Sequence, residues 1–131
     1  MNIYVAAPWP RRAEAALVAK MLTDDGHRIT HRWWEVEPGD TGDNLDNEGY
    51  VEFAANDQLG VKNADALLLL VPKQGGCGMF VELGLALAYG KAVIEVNLDE
   101  TGKPPVVRSI FDHLTVRMSS LTAALEFLHG N

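Results

Sequence analysis

DALLLLVPKQGGCGMFVELGLALAYGKAVIEVN, Asp65 to Asn97, places two apolar segments of different period next to each other. Ala66–Val71 is apolar without alternation, as expected of a central parallel strand covered on both faces. Pro72, Gly75 and Gly76 then break the chain. From Met79 the apolar residues are interleaved with Gly84, Ala86 and Ala88, which suits a helix lying close against a sheet, and Gly90 stops it. Ala92–Asn97 reads as the next strand. Strand, helix, strand in this order is a parallel crossover unit.

The pattern repeats on either side. NIYVAAP predicts a first buried strand. RRAEAALVAKMLTDDGH predicts a helix with Ala13, Ala16, Leu17, Met21 and Leu22 as its apolar face and Gly26 as its stop. RITHRWW reads as a second strand. EVEPGDTGDNLDNEG, rich in acids, Pro and Gly, reads as a solvated loop that could cover a site as a lid. YVEFAANDQLGVKNA suits a helix. FDHLTVRM should hold a short edge strand, and SLTAALEFLHG a closing helix capped by Ser119 or Ser120. The order β-α-β-α-β-α-β-β-α predicts a doubly wound α/β sheet, flavodoxin- or Rossmann-like, with five mainly parallel strands and helices on both faces. A single domain over residues 1–131 is expected. Ligands of such sheets sit beyond the carboxyl ends of the strands, here at AAPWPRR and PKQGGCG.

The chain is ordinary in composition, 47% hydrophobic and 22% charged, with a net charge of −7. An acidic surface disfavours nucleic acid and anionic membrane as partners. The basic residues Arg11, Arg12, Arg28 and Arg32 are enough for one small anion only. Cys77 is the one cysteine, which excludes an internal disulfide and fits a reducing, cytoplasmic location. MNIYVAAPWP has neither basic leader nor long apolar core, so no signal peptide is expected. ALLLLVP is too short to span a bilayer. His27, His31, His113 and His129 show no metal spacing, and no metal or other cofactor is expected. Asp40, Asp43, Asp46 and Glu48 do not form a calcium loop.

Glu82 stands out as the one acid in an apolar helix. Burial raises a carboxylate's pKa and a helix N-terminus lowers it. Read as a first-turn residue beside a glycine-rich entry, Glu82 is expected to be held in its charged form. A charged carboxylate at the rim of an apolar pocket suits a nucleophile or a stabiliser of a cation. A first-turn glutamate satisfied by the helix dipole is the plainer alternative. Gly75, Gly76 and Gly78 would allow a ligand close to the backbone.

YVAAPW, NDQLGVKNADALLLLVP and GGCGMFVELGLALAYGKAVIEV, taken together, resemble the nucleoside 2-deoxyribosyltransferase superfamily, which includes the 2-deoxynucleoside 5-phosphate N-hydrolases. The likeness runs from Ile3 to about Val96, with a weaker echo at SIFDHLTVRM. Its most specific part spans Glu82 to Val93. The resemblance implies that Glu82 is a nucleophile attacking the anomeric carbon of a 2-deoxyribosyl group. A glycosyl-enzyme intermediate would form, as in retaining glycosidases. It implies that Tyr4 orients Glu82 and that Asp57 contacts the base or helps it leave. Substrate contacts are expected at Ala6, Trp9, Gly76, Gly78 and Met79. Phe111 and His113 would reach a neighbouring subunit's site in a homodimer or larger homo-oligomer. The partners implied are a nucleoside or nucleotide and, for transfer, a free acceptor base. Gly76 stands where the transferases carry a further acid. Ala6, Ala7 and QGGCG lack the serines that the hydrolases place around a 5-phosphate, a role Arg11 or Arg12 could take. Transfer, hydrolysis of a monophosphate, and non-catalytic nucleotide binding therefore all stay open.

Among the remaining residues, Asp65 is expected to make a cap or loop bond, and Cys77 to be a small, partly buried thiol. His113 is the histidine expected nearest a pocket. Of Trp33 and Trp34, one is expected in the core and one at a pocket or interface.

Overall fold

The computed structural model describes residues 1–35, 47–100 and 102–130. Five strands form one parallel sheet: β1 (Asn2–Ala6), β2 (Arg28–Ile29), β3 (Ala66–Val71), β4 (Ala92–Asn97) and β5 (Val116–Met118). Their spatial order is β2-β1-β3-β4-β5. This is the doubly wound arrangement expected, with its switch point between β1 and β3. Tyr4 stands opposite Leu67, and Leu67 opposite Val93, so the register aligns the three inner strands. Leu67 to Leu70 are all at most 1% exposed. The unbroken leucine run is thus covered on both faces, and truncating any of these leucines to alanine should cost about 2–5 kcal/mol.

The helices are α1 (Arg12–Asp24), α2 (Asn47–Asn63), α3 (Cys77–Ala88) and α4 (Leu121–His129). Right-handed crossovers on either side of the switch point send α1 to one face and α2 and α3 to the other. α1 buries Ala15, Val18, Ala19 and Leu22, the i, i+3, i+4, i+7 set. The sequence pattern had suggested Ala13, Ala16, Leu17, Met21 and Leu22. Of these only Leu22 is fully buried, and Leu17 is 55% exposed. Two apolar stripes compete on this alanine-rich helix, and its docking against β1 and β2 selects one.

One segment is a shorter strand than expected, and another holds its short edge strand as expected. RITHRWW forms a strand only at Arg28–Ile29 and then a 3-10 turn at Trp33–Glu35. FDHLTVRM contains a 3-10 turn, Ile110–Leu114, before β5. Ser120 caps α4, its hydroxyl accepting from the Ala123 amide at 3.0 Å. Asp65 bridges loop to strand, accepting from the Asn2 amide at 2.8 Å. Residues 36–46, where the acidic lid was expected, lie outside the described residues. Among the described residues no helix is long and apolar enough to cross a membrane.

Candidate functional site

β1 and α3 meet at a tyrosine and a glutamate. Tyr4 sits in mid-strand and is 0% exposed. Its hydroxyl donates to Glu82 Oε2 across the gap between β1 and α3. A buried phenol needs a partner for its O–H, and Glu82 supplies the acceptor. Burial and the nearby charges of Glu82 and Asp57 push the Tyr4 hydroxyl far above the ordinary phenol range, so it stays a donor.

α3 begins at Cys77, with Gly76 as its N-cap in the left-handed region at φ 91°. Glu82 therefore lies in the second turn, not the first as the glycine-rich entry suggested. Distance from the helix end weakens the dipole, and burial prevails. The Glu82 carboxyl is pushed up to about 8, chiefly by burial and further by the charge of Asp57, while the Tyr4 bond opposes the rise. The first-turn placement expected to favour the charged form of Glu82 is thus not found, and burial works toward the neutral acid.

α2 delivers Asp57 to the same place. It can do so because Gly60, one turn further along, lets the helix rest on its neighbours. A Cβ at Gly60 would stand 2.8 Å from His31 Cβ and 2.9 Å from Tyr4 Cε2. His31 Nε2 lies 3.2 Å from Asp57 Oδ1, an ion pair when the ring is protonated. The contact lacks hydrogen-bond alignment, so the buried Oδ1 has no donor. His31, not His113, is the histidine beside the acids. No sequence motif marks it; its position after the short β2 became meaningful only once β2 was placed beside β1.

Above these groups opens a cleft of roughly 370 Å³. Its walls are Trp9, Trp33, Phe53 and Met79, and its floor carries Asp57 and Glu82. Trp33 belongs to both core and cleft: its indole N–H donates to the Val5 carbonyl at 2.8 Å, and Trp9 packs on it with ring centroids 6.1 Å apart. Gly76, Cys77 and Gly78 form the rim. Gly76 is required by its positive φ, and a Cβ there would also displace the flexible tip of Met79, whose Cε would lie 2.6 Å away. Cys77 is exposed on that rim, rather than partly buried as expected.

Of the expected substrate contacts, Trp9, Gly76, Gly78 and Met79 line the cleft, with Ala7 in place of Ala6. Ala6 itself is buried in β1. Phe111 and His113 are exposed on the 3-10 turn and do not line the cleft of their own chain. Arg11 is held by Glu14 and by Asp99 Oδ1 at 2.6 Å. Arg12 lies over the Trp9 ring, 4.7 Å from its centroid. Neither lines the cleft. Among the described residues no three His, Cys, Asp or Glu side chains converge on a metal-sized site.

Comparison with known proteins adds the fold's company. Neither a protein-family model nor a curated protein sequence matches this chain. Among solved structures, a 2-deoxyribosyltransferase from Bacillus psychrosaccharolyticus superposes with a TM-score of 0.65 at 21% identity, over 88% of this chain and 82% of that one. A 2-deoxyribosyltransferase from Leishmania mexicana gives 0.66 at 17% identity, over 99% and 97%. A CMP N-glycosidase from Clostridium botulinum gives 0.59 at 14% identity, over the full length of both chains. These proteins belong to the nucleoside 2-deoxyribosyltransferase superfamily. At these identities the likeness is one of fold.

Proposed function

We propose that this chain is a member of that superfamily and cleaves or transfers at the N-glycosidic bond of a 2-deoxynucleoside or nucleotide, with Glu82 as the nucleophile. The observation that carries the reading is the Tyr4–Glu82 hydrogen bond at the floor of an aromatic cleft, with Asp57 beside it. The fold shared with two transferases and an N-glycosidase supports both outcomes of the chemistry.

The base would lie between the flat apolar walls, where Trp9, Trp33 and Phe53 offer stacking surface. Ionised Glu82 attacks the anomeric carbon as the bond to the base nitrogen breaks, and the electron pair leaves with the base. Partial positive charge on the sugar is stabilised by the adjacent carboxylate. Asp57, whose Oδ1 lacks a donor, is placed to hydrogen-bond the departing base or to give it a proton. Tyr4 orients Glu82 and favours its charged form, since a donated hydrogen bond stabilises the anion. Water or a second base then attacks the same carbon from the face the first base left, and Glu82 is released.

The proposed assembly is a homodimer or larger homo-oligomer, with the 3-10 turn at the contact. Ile110, Phe111 and Leu114 are 76%, 54% and 68% exposed, an apolar concentration that a lone surface turn does not need. Chromatography of reactions with a panel of deoxynucleosides and their monophosphates, with and without a second base, tests the activity. Base release that disappears in Glu82→Ala supports it, and acceptor dependence separates transfer from hydrolysis. A wild type as inert as the variant would sink the enzymatic reading in favour of nucleotide binding without turnover.

A further inference from the structure

The loop that leads to the rim of the cleft contains two consecutive glycines. Gly75 and Gly76 follow one another at φ 79° and 91°. Two adjacent glycines lose more conformational freedom on ordering than any other pair. Neither has a side chain to pack: the Gly76 carbonyl accepts from the Phe80 amide of α3 at 3.3 Å, while the Gly75 carbonyl needs a donor from outside the loop.

Arg108 meets that need from another part of the chain. It stands after β4, in the approach to the 3-10 turn. One guanidinium nitrogen donates to the Gly75 carbonyl at 2.8 Å, and the other terminal nitrogen to the Pro72 carbonyl at 3.3 Å. The two contacts bracket the loop between β3 and α3. The guanidinium also lies over the Phe80 ring in the first turn of α3, 4.9 Å from its centroid. A planar fork that can bond two carbonyls and stack on an aromatic face is particular to arginine.

The arginine is itself anchored. Its backbone amide donates to Asp112 Oδ2 at 2.8 Å, as does that of Ser109 at 3.0 Å. Asp112 is 1% exposed, and its neighbour Glu95, equally buried, receives the Thr115 hydroxyl. The base of the clamp is thus fixed to β4, while its head remains at the surface.

We infer that Arg108 is a positioning residue for the reaction at Glu82: by holding the Pro72 and Gly75 carbonyls it fixes the Gly75–Gly76 peptide at the rim of the cleft. The peptide is trans, so fixing the carbonyl toward Arg108 fixes the Gly76 N–H toward the opposite side. The consequence is a rim of set shape in front of the nucleophile. The inference rests on the enzymatic reading of the site.

Arg108→Ala and Arg108→Lys, compared with wild type, give the test through two readouts. The arginine head is exposed, so both variants should fold. Amide exchange over residues 73–79 should quicken in Arg108→Ala by about tenfold, the loss of charge-assisted hydrogen bonds, with α2 and the sheet unchanged. Base release should fall in kcat/KM by about tenfold to a hundredfold, mainly through kcat, with the pH profile in place. Arg108→Lys, which keeps one donor and loses the fork, should lie between the two. Unchanged exchange in Arg108→Ala overturns the clamp. A loosened loop with unaltered kcat/KM overturns the positioning role. A wild type without turnover brings down the enzymatic reading and this role with it, and the exchange result then distinguishes that failure from the absence of a clamp.

Discussion

Two glutamates of this protein, one part-buried and one buried, have similar partners and very different access. Glu82 on α3 and Glu95 on β4 each receive a hydroxyl, from Tyr4 and Thr115 respectively. Each has a second acid beside it, Asp57 or Asp112, and burial pushes their carboxyls up to about 8 and about 7. Glu82, however, opens into a cleft walled by tryptophan and phenylalanine, whereas Glu95 is 1% exposed and lies under the 3-10 turn and Arg117. A perturbed carboxylate pair is therefore not by itself a site. Open space in front of one pair, and its absence at the other, is why the chemistry is proposed at Glu82 and a purely structural part at Glu95.

The sharpest way to break that contrast is to neutralise each acid in turn. Glu82→Gln should lower base release on the order of 10³-fold or more, with no loss of folding stability. Glu95→Gln, measured in the same assay, should leave the rate near wild type. Equal losses in both would erase the distinction.

Tyr4→Phe should come next in size, with kcat/KM reduced by about tenfold to a hundredfold. Its signature is in the pH profile. The Tyr4 bond holds the Glu82 value down, so removing it should move the rising limb of kcat/KM to a pH above the wild-type limb near 8. A rate loss without that displacement would mean that the tyrosine acts otherwise.

Activity and stability should respond to pH in opposite directions. Both glutamates have folded values above the ordinary 4.5, so the folded state holds their protons more tightly. Their contribution to stability is complete below about pH 4.5 and is lost as pH rises through about 7 for Glu95 and about 8 for Glu82. For Glu95 the loss is about 3 kcal/mol. Base release should rise over the upper part of the same window as Glu82 ionises. Denaturant unfolding at several pH values checks this, and Glu95→Gln should flatten the lower part of the stability decline. A profile identical to wild type would contradict the assignment.

Gly60→Ala is expected to cost about 1–3 kcal/mol of folding stability from overpacking against His31 and Tyr4. It should also lower kcat, because α2 must lift Asp57 away from Glu82 to make room. A variant as stable and active as wild type would show that the close approach of α2 is dispensable.

The sequence made the inner strands legible because Ala66–Val71 is apolar without interruption, as a doubly covered strand requires, and Ala92–Asn97 is apolar but for Glu95 and Asn97. Glu82 was legible as the lone acid in an apolar helix, and Tyr4 and Asp57 through the family resemblance. The state of Glu82 was not. It depends on where α3 begins, and consecutive glycines hide a helix start. His31 and Gly60 were also hidden. Their roles arise from contacts between β2, α2 and β1 that no local pattern records. The buried stripe of α1 was misread because alanine fits either face, and only the sheet beneath chooses. Arg108 carried no signal in the sequence, since its partners are carbonyls and carry no side-chain signature.

The most direct test of the central claim is mass spectrometry of the enzyme after reaction with a nucleoside bearing fluorine at sugar carbon 2, which slows breakdown of a glycosyl-enzyme. The account predicts a covalent sugar adduct on the peptide containing Glu82, absent from Glu82→Gln. Base release from that nucleoside with an adduct on another residue, or with none at any time, would contradict nucleophilic attack by Glu82.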